Sequence, residues 1–180
     1  RLFDVGMEKL AEKRYEDRDP PFDTPFSDIV RDYRRSDPGE NGGLAFQAMG
    51  YGYVKANWSH LSLRASKVRT GSSRQNRYGD INGFLGPDLM ISVEVKDRDI
   101  TGDNVRGQLG QMLDLVESST AVPIAICRTV SDDAREILES DGVRVLDDDD
   151  LLSELERWEY HKENRAVQGM LHYLANVEEN

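Results

Sequence analysis

Two acidic residues and a lysine in the middle of the chain have the types and spacing to bind a divalent cation beside a phosphate group. Glu94 and Lys96 are two positions apart in the run ISVEVKD, which alternates apolar and polar residues as a strand does. Side chains two positions apart on a strand lie on the same face. The carboxylate and the ammonium group can therefore act on one bound group, provided that a second carboxylate lies near Glu94 to share the cation.

Two aspartates precede this pair, and chain geometry decides between them. Asp88 is six residues before Glu94 on the same strand, so the two lie about 20 Å apart and cannot share an ion. Asp80 is fourteen residues before Glu94, with a turn signal at Gly86 and Pro87 between them. If the chain reverses there, antiparallel pairing brings Asp80 to within about 5–8 Å of Glu94. We therefore expect Asp80 to be the second ligand.

The composition excludes several other kinds of site. The chain has 180 residues, a single cysteine and three scattered histidines, which excludes an internal disulfide and a zinc site of the usual Cys/His spacing. No apolar run approaches the roughly 20 residues that span a bilayer. We expect a cytoplasmic protein in which oxygen atoms hold any metal. Because the first residue is Arg1 rather than Met, we also expect the sequence to be a fragment or a processed chain.

The charge distribution favours a nucleic-acid partner although the total charge is acidic. The net charge of −11 repels phosphate backbones, but residues 41–79 contain no Asp or Glu. The basic residues of this segment are Lys55, Arg64, Lys67, Arg69, Arg74 and Arg77. We interpret the segment as a phosphate-binding face. The alternative is a long loop whose charges share one sign by chance.

Hydrophobic periodicity predicts an α/β fold with a mixed central sheet flanked by helices. In the first half we expect helices to about residue 18 and over 26–35, a helix start or irregular element over 44–53, and a mixture of strand and polar loop over 55–78. Strands are predicted over 79–84 and 89–96. A helix capped by Thr101 or Asp103 then runs to about residue 117.

The second half alternates strands and helices. We expect a strand over 122–128, a helix over 131–142, a strand over 143–146, a helix after residue 150 and an amphipathic helix over 161–180. Strands that are joined through helices should be parallel.

The pattern GD…EVK, formed by Gly79, Asp80, Glu94 and Lys96, follows an acidic residue, Glu40, and precedes a helix that contains glutamines. This arrangement resembles the PD-(D/E)xK nuclease superfamily, which includes restriction endonucleases, Holliday-junction resolvases and repair exonucleases. The runs ENGGLAFQAMGYGYVKA, RTGSSRQNRYGDI and VEVKDRDITGDNVRGQLGQM are most similar to type II restriction enzymes of the SacI kind. The resemblance covers residues 40–128 and implies a restriction-endonuclease-like core.

The resemblance also implies a role for each matched residue. Asp80 and Glu94 would bind one or two Mg²⁺ ions, with the backbone carbonyl of Val95 as a third ligand. Lys96 would orient the attacking water or help to deprotonate it. Glu40 would supplement the site, although an acid among glycines is also typical of a plain turn.

A glutamine and a set of basic residues complete the implied site. Gln108 is preferred over Gln111 as the glutamine of the following helix, because it borders the apolar stripe; the alternative is that Gln108 only covers the edge of the core. The residues expected to contact DNA are Arg64, Lys67, Arg69, Arg74 and Arg77.

The expected activity is that of a Mg²⁺-dependent endonuclease that hydrolyses duplex DNA at specific sequences, as a restriction enzyme or its catalytic domain. The chain would comprise a helical segment (1–39), a nuclease core (40–157) and a C-terminal helix packed on that core (158–180). A homodimer is expected because cutting both strands needs two sites. The alternatives are a structure-specific nuclease such as a Holliday-junction resolvase, a nuclease-like module that binds DNA without cutting, and an α/β interaction domain that associates through Trp158 and the last helix.

Overall fold

A computed structural model describes residues 24–34, 43–66 and 79–178. In this part of the chain a five-stranded mixed sheet packs against helices, which is an α/β fold. The strands are β1 (Ser62–Ala65), β2 (Ile81–Leu85), β3 (Asp88–Ile100), β4 (Val122–Val130) and β5 (Arg144–Leu146). The helices are α1 (Phe26–Asp32), α2 (Leu44–Asn57), α3 (Val105–Ser118), α4 (Asp132–Ser140), α5 (Asp148–Leu155) and α6 (Tyr160–His172), which continues into a π-helical segment, Tyr173–Glu178.

The five strands lie side by side in chain order. β1 pairs with β2 and β2 with β3 in antiparallel fashion, whereas β3 pairs with β4 and β4 with β5 in parallel fashion. A parallel pair needs a crossover connection, and helices α3 and α4 provide the two that are required. The prediction of a mixed sheet with parallel later strands is confirmed.

Helices cover both faces of the sheet. One face, which carries Val93 and Val95 of β3, packs against α1, α2, α5 and α6. The other face packs against α3 and α4, through Leu109 and Leu138 among others. Below we call these the α2/α6 face and the α3/α4 face. Since neighbouring residues of β3 alternate between them, Glu94 and Lys96 belong to the α3/α4 face.

Trp158 belongs to the core rather than to an association surface. Its ring stacks on Phe26 and Tyr53, with centroid distances of 6.0 and 5.6 Å, and its side chain packs against the core of the α2/α6 face. The same core includes Ala166 and Val167 of α6. Met170 and Leu174 also pack against this core, whereas Leu171 of α6 is exposed.

Several predicted boundaries differ from the structure. The glycine-rich segment over 44–53 is part of a continuous helix, α2, which ends only at Asn57. Packing requires a glycine at position 52, because a Cβ atom there would lie 2.4 Å from the carbonyl oxygen of Ala166. Lys55 is helical and not part of a strand or loop.

The start of α3 was also predicted wrongly. Its N-cap is Asn104 rather than Thr101 or Asp103. The Asn104 side chain accepts a hydrogen bond from the backbone N–H of Thr101, so residues 101–104 form a turn before the helix begins. The helix predicted to residue 18 lies outside the described residues. No helix in the described part of the chain is long and apolar enough to cross a bilayer.

Candidate active site

A tight hairpin joins β2 to β3 at the predicted turn. Leu85 pairs with Asp88, and Gly86 between them has a φ of 62°, a left-handed conformation that glycine adopts without strain. Asp88 is exposed at the start of β3. Gly86 and Pro87 therefore form the turn, and Asp88 begins β3 six residues from Glu94 along an extended strand, too far to share an ion with it, as predicted.

One extra residue in β3 sets the register beyond the turn. Gly83 pairs with Ile91, but the next residue of β2, Phe84, pairs with Leu89. Met90 is therefore an additional residue, a β-bulge that changes the register by one. A register change of one residue reverses the face on which each side chain lies.

This register brings Asp80 and Glu94 together. Ile81 pairs with Val93, and the same register continued by one residue places Asp80 opposite Glu94. Without the bulge, Asp80 would be opposite Val93 and would point to the α2/α6 face. The carboxylate of Asp80 accepts a hydrogen bond from the backbone N–H of Val95 at 3.0 Å, which holds it beside the Glu94 peptide.

Asp80 is costly to ionise in this position. Burial raises the pKa of its carboxyl group, and the negative charge of Glu94 raises it further, to about 6 from an ordinary 3.8. The N–H of Val95 and the ammonium group of Lys96 act in the opposite direction. A cation placed between the two carboxylates would remove their repulsion and stabilise both in the ionised form.

Glu94 and Lys96 form an ion pair on the α3/α4 face. The Lys96 Nζ donates to Glu94 Oε1, and their side chains are only 13% and 23% exposed, with Glu94 the more buried. Next to Lys96 on β4 lies Cys127. Burial raises the pKa of the Cys127 thiol to about 12, so it stays protonated at neutral pH and is not a nucleophile.

A buried hydrogen-bond network supports Asp80 from behind. The backbone N–H of Gly79 donates to Ser92 Oγ at 2.8 Å, and Ser92 Oγ donates to Asn82 Oδ1 at 2.9 Å. The Asn82 amide in turn donates to the carbonyl oxygen of Gly79 at 2.8 Å. These bonds fix the residue that immediately precedes Asp80. Ser92 lies two residues before Glu94 and on the same face of β3, and its role in this network was not predicted from the sequence.

Gly79 also allows the chain to approach β3 closely. A Cβ atom at this position would lie 2.5 Å from the carbonyl oxygen of Val93 and 3.0 Å from Ser92 Oγ. A separation of 2.5 Å from a backbone atom is far shorter than the van der Waals distance. The glycine of the GD pair is therefore required by packing next to the site.

Gln108 on α3 is bonded to Arg98, which lies two residues beyond Lys96 on β3. Gln108 Oε1 accepts a hydrogen bond from Arg98 Nη1 at 3.1 Å, so its observed partner is Arg98 and not Glu94 or Lys96. Gln108 is half-buried whereas Gln111 is exposed, in agreement with the preference for Gln108 as the residue that borders the core. Arg98 was missed, although its place two residues after Lys96 in VEVKDR was the available signal.

Asp97, the acid that follows Lys96, is part of a structural cluster instead. Arg128 Nη2 lies 2.8 Å from Asp97 Oδ1, and the hydroxyl of Tyr33 donates to Asp97 Oδ2 at 3.1 Å. Arg128 also pairs with Asp148 at 3.1 Å, and its guanidinium lies over the ring of Phe46. These contacts join three helices to two strands and occupy Asp97 away from Glu94.

The residues expected to contact DNA are only partly described. Arg64 is exposed on β1 and pairs with Asn82, which pairs with Ser92. Paired residues share a face, so Arg64 lies on the same face of the sheet as Glu94. Its guanidinium carbon is 4.9 Å from the centre of the Phe84 ring. Five of the predicted site residues lie outside the described ranges: the acid Glu40 and the basic residues Lys67, Arg69, Arg74 and Arg77.

The donor set fits a hard divalent cation. In residues 24–34, 43–66 and 79–178, no group of three or more His, Cys, Asp or Glu side chains is arranged to hold a metal ion. Asp80 and Glu94 would provide two carboxylate ligands, a number that suits Mg²⁺, since this ion usually takes one or two carboxylates and keeps several water or phosphate oxygens. The Val95 carbonyl as a third ligand stays a prediction.

Comparisons with known proteins add no assignment to this geometry. No protein-family model matches the chain, and no curated protein matches its sequence.

Proposed function

We propose that this protein is a Mg²⁺-dependent deoxyribonuclease of the PD-(D/E)xK type, with a restriction-endonuclease-like core. The observation that carries the proposal is the placement of Asp80 opposite Glu94 with the Lys96 ammonium group on the Glu94 carboxylate. Two carboxylates and a lysine on one sheet face are what phosphodiester hydrolysis with a hard cation needs. The substrate is duplex DNA, cut at specific sequences by a homodimer.

Each residue of the site has a distinct task in this reaction. Asp80 and Glu94 hold the cation, which, when bound, neutralises charge that develops on the phosphate. Lys96 keeps Glu94 oriented and presents further N–H groups to a phosphate oxygen or to the attacking water. The hydrogen bond from Val95 and the network behind Gly79 hold Asp80 in place before substrate arrives, which lowers the cost of reorganisation during the reaction.

Basic residues on the same side support a nucleic-acid substrate. Arg64 lies exposed on the site face, and Arg98 is exposed beside Lys96 with Gln108 as its partner. Arginine binds phosphate with a rigid fork of donors. The basic segment over 67–77 would extend this contact along the DNA backbone.

Cleavage of supercoiled plasmid tests the proposal. The wild-type protein should nick or linearise plasmid with Mg²⁺ and leave it intact in EDTA. Lys96→Met should lower the rate at least about 100-fold, the usual size of a lost proton-transfer or orienting group. Lys162→Met is the matched control, since Lys162 lies on α6 and packs over Trp158 on the other side of the sheet.

Two outcomes would point to the alternatives. Tight duplex binding in EDTA without cleavage in Mg²⁺, Mn²⁺ or Ca²⁺ would contradict the proposal and favour a binding module that does not cut. Preferential cleavage of a cruciform over a linear duplex would favour a structure-specific nuclease instead of a restriction enzyme.

A further inference from the structure

A cavity of about 270 Å³ lies between α2 and α6. These helices cover the α2/α6 face of the sheet, whereas Glu94 and Lys96 lie on the α3/α4 face. The cavity is therefore separate from the candidate active site. Its lining residues are Tyr51, Lys55, Arg165, Gln168, Gly169 and His172.

The lining is basic in a chain that is acidic overall. None of the six residues carries a negative charge, although the net charge of the protein is −11. Within residues 24–34, 43–66 and 79–178, the side chains of Lys55 and Arg165 make no ion pair. Two cations at one cavity, with no ion-pair partner among the described residues, create a local positive potential that attracts an anion.

The remaining groups are suited to a phosphate. The ring of His172 stacks against the ring of Tyr51 at a centroid distance of 6.2 Å, and both residues line the cavity. Burial raises the pKa of the Tyr51 phenol, which keeps it protonated as a hydrogen-bond donor. Lysine as a point charge and arginine as a fork of donors are the side chains that proteins use most for phosphate groups.

The size of the cavity limits the ligand. Pockets for drug-sized molecules measure about 300–1,000 Å³, and this cavity lies just below that range. It suits a compact ligand and not a stretch of duplex DNA. We propose that the cavity between α2 and α6 binds a phosphate dianion, either as inorganic phosphate or as the phosphate group of a small phosphomonoester.

Calorimetric titration at constant ionic strength tests this site. The probes are inorganic phosphate, adenosine monophosphate as a phosphomonoester, and adenosine as the same molecule without phosphate. We expect saturable one-to-one binding of at least one phosphate probe and none of adenosine. A tighter complex with the nucleotide identifies a phosphomonoester as the ligand, and a tighter complex with phosphate identifies the free ion.

Variants locate the binding. Lys55→Gln and Arg165→Gln should each weaken it about tenfold, equivalent to one lost charge-assisted contact of about 1.4 kcal/mol. Arg157→Gln, an exposed arginine in the connection between α5 and α6, should leave it unchanged. Amide chemical-shift changes in the wild-type protein should cluster on α2 and α6, which provides a readout that does not depend on the folding of a variant.

Three results would overturn the proposal: no saturable binding of either phosphate probe, equal binding of adenosine, or equal weakening by Arg157→Gln. The proposal does not depend on nuclease activity. Lys96→Met should bind the phosphate probes as the wild type does, so failure of one proposal can be told from failure of the other.

Discussion

Asp80 lies opposite Glu94 across the β2–β3 hairpin, and it does so because Met90 adds one residue to β3. The two carboxylates share a face, and the Asp80 pKa is raised by burial and by the charge of Glu94. In the absence of a cation this arrangement costs stability, since two like charges are held together. Such a cost is typical of functional sites.

The raised pKa of Asp80 predicts how the metal-free protein responds to pH. Between about pH 4 and 6 the folded state holds a proton that the unfolded state has released, so the free energy of unfolding falls as pH rises. The free energy of unfolding should fall by about 2 kcal/mol over this range, and Mg²⁺ should restore the lost stability above pH 6. Urea unfolding at several pH values in EDTA measures it.

Asp80→Asn is the control for this pH effect. Asparagine retains an oxygen that accepts from the Val95 N–H but carries no charge. The variant should be more stable than the wild type at pH 7 in EDTA, with a smaller loss between pH 4 and 6 and no gain from Mg²⁺. If the free energy of unfolding of the variant depends on pH as steeply as that of the wild type, a group other than Asp80 causes the pH effect.

Gly79→Ala should damage both the fold and the site. The added Cβ would meet the Val93 carbonyl at 2.5 Å, so we expect a loss of about 1–3 kcal/mol and displacement of Asp80. Gly107→Ala in α3 is the matched control, because nothing lies within 4 Å of its Cβ and alanine favours a helix by about 1 kcal/mol. Thermal unfolding of both variants compares them, and equal stability would contradict the close approach.

Ser92→Ala should destabilise the network behind Asp80. The substitution leaves the backbone N–H of Gly79 and the side-chain Oδ1 of Asn82 without their buried partner, which costs about 1–3 kcal/mol. Ser118→Ala removes a hydroxyl that bonds at the exposed end of α3 and should change stability by less than about 0.5 kcal/mol. A weaker effect of Ser92→Ala on chemical unfolding than of Ser118→Ala would refute the network as a support.

Arg98→Gln should weaken DNA binding without unfolding the protein. Arg98 is exposed and bonded to Gln108, and under the proposed function its loss would remove one contact with a DNA phosphate. The slope of log affinity against log salt should become less steep by about 1. Arg157→Gln, away from this region, should leave the slope unchanged. Fluorescence anisotropy with a labelled duplex in Ca²⁺ measures both, and identical slopes for Arg98→Gln and wild type would exclude the contact.

Most of the fold and the central pair of acids could be predicted from local patterns. The turn signal at Pro87 and the alternation around Glu94 are local properties, and they sufficed to choose Asp80 over Asp88. The continuous helix α2 was missed because Gly50 and Gly52 reflect packing against Val95 and Ala166, which are distant in the sequence. Tertiary contacts of this kind leave no periodic signal.

The supporting residues of the site were not predictable in the same way. The partnership of Ser92 with Gly79 and that of Arg98 with Gln108 both depend on the register and on the packing of α3. The bulge at Met90 has no marked signal in a run of apolar residues. The expected reversal at Gly86 and Pro87 nevertheless brought Asp80 to Glu94, because the bulge offsets by one residue the register that the two-residue turn sets.

The most direct test of the account is a calorimetric titration of Mg²⁺ into the wild-type protein and three matched acid variants. Binding should be saturable in the wild type, lost in Asp80→Asn and in Glu94→Gln, and unchanged in Asp88→Asn, which removes the exposed acid at the start of β3. Absence of saturable Mg²⁺ binding in the wild type, or equal binding by Asp80→Asn, would contradict the claim that Asp80 and Glu94 share a cation.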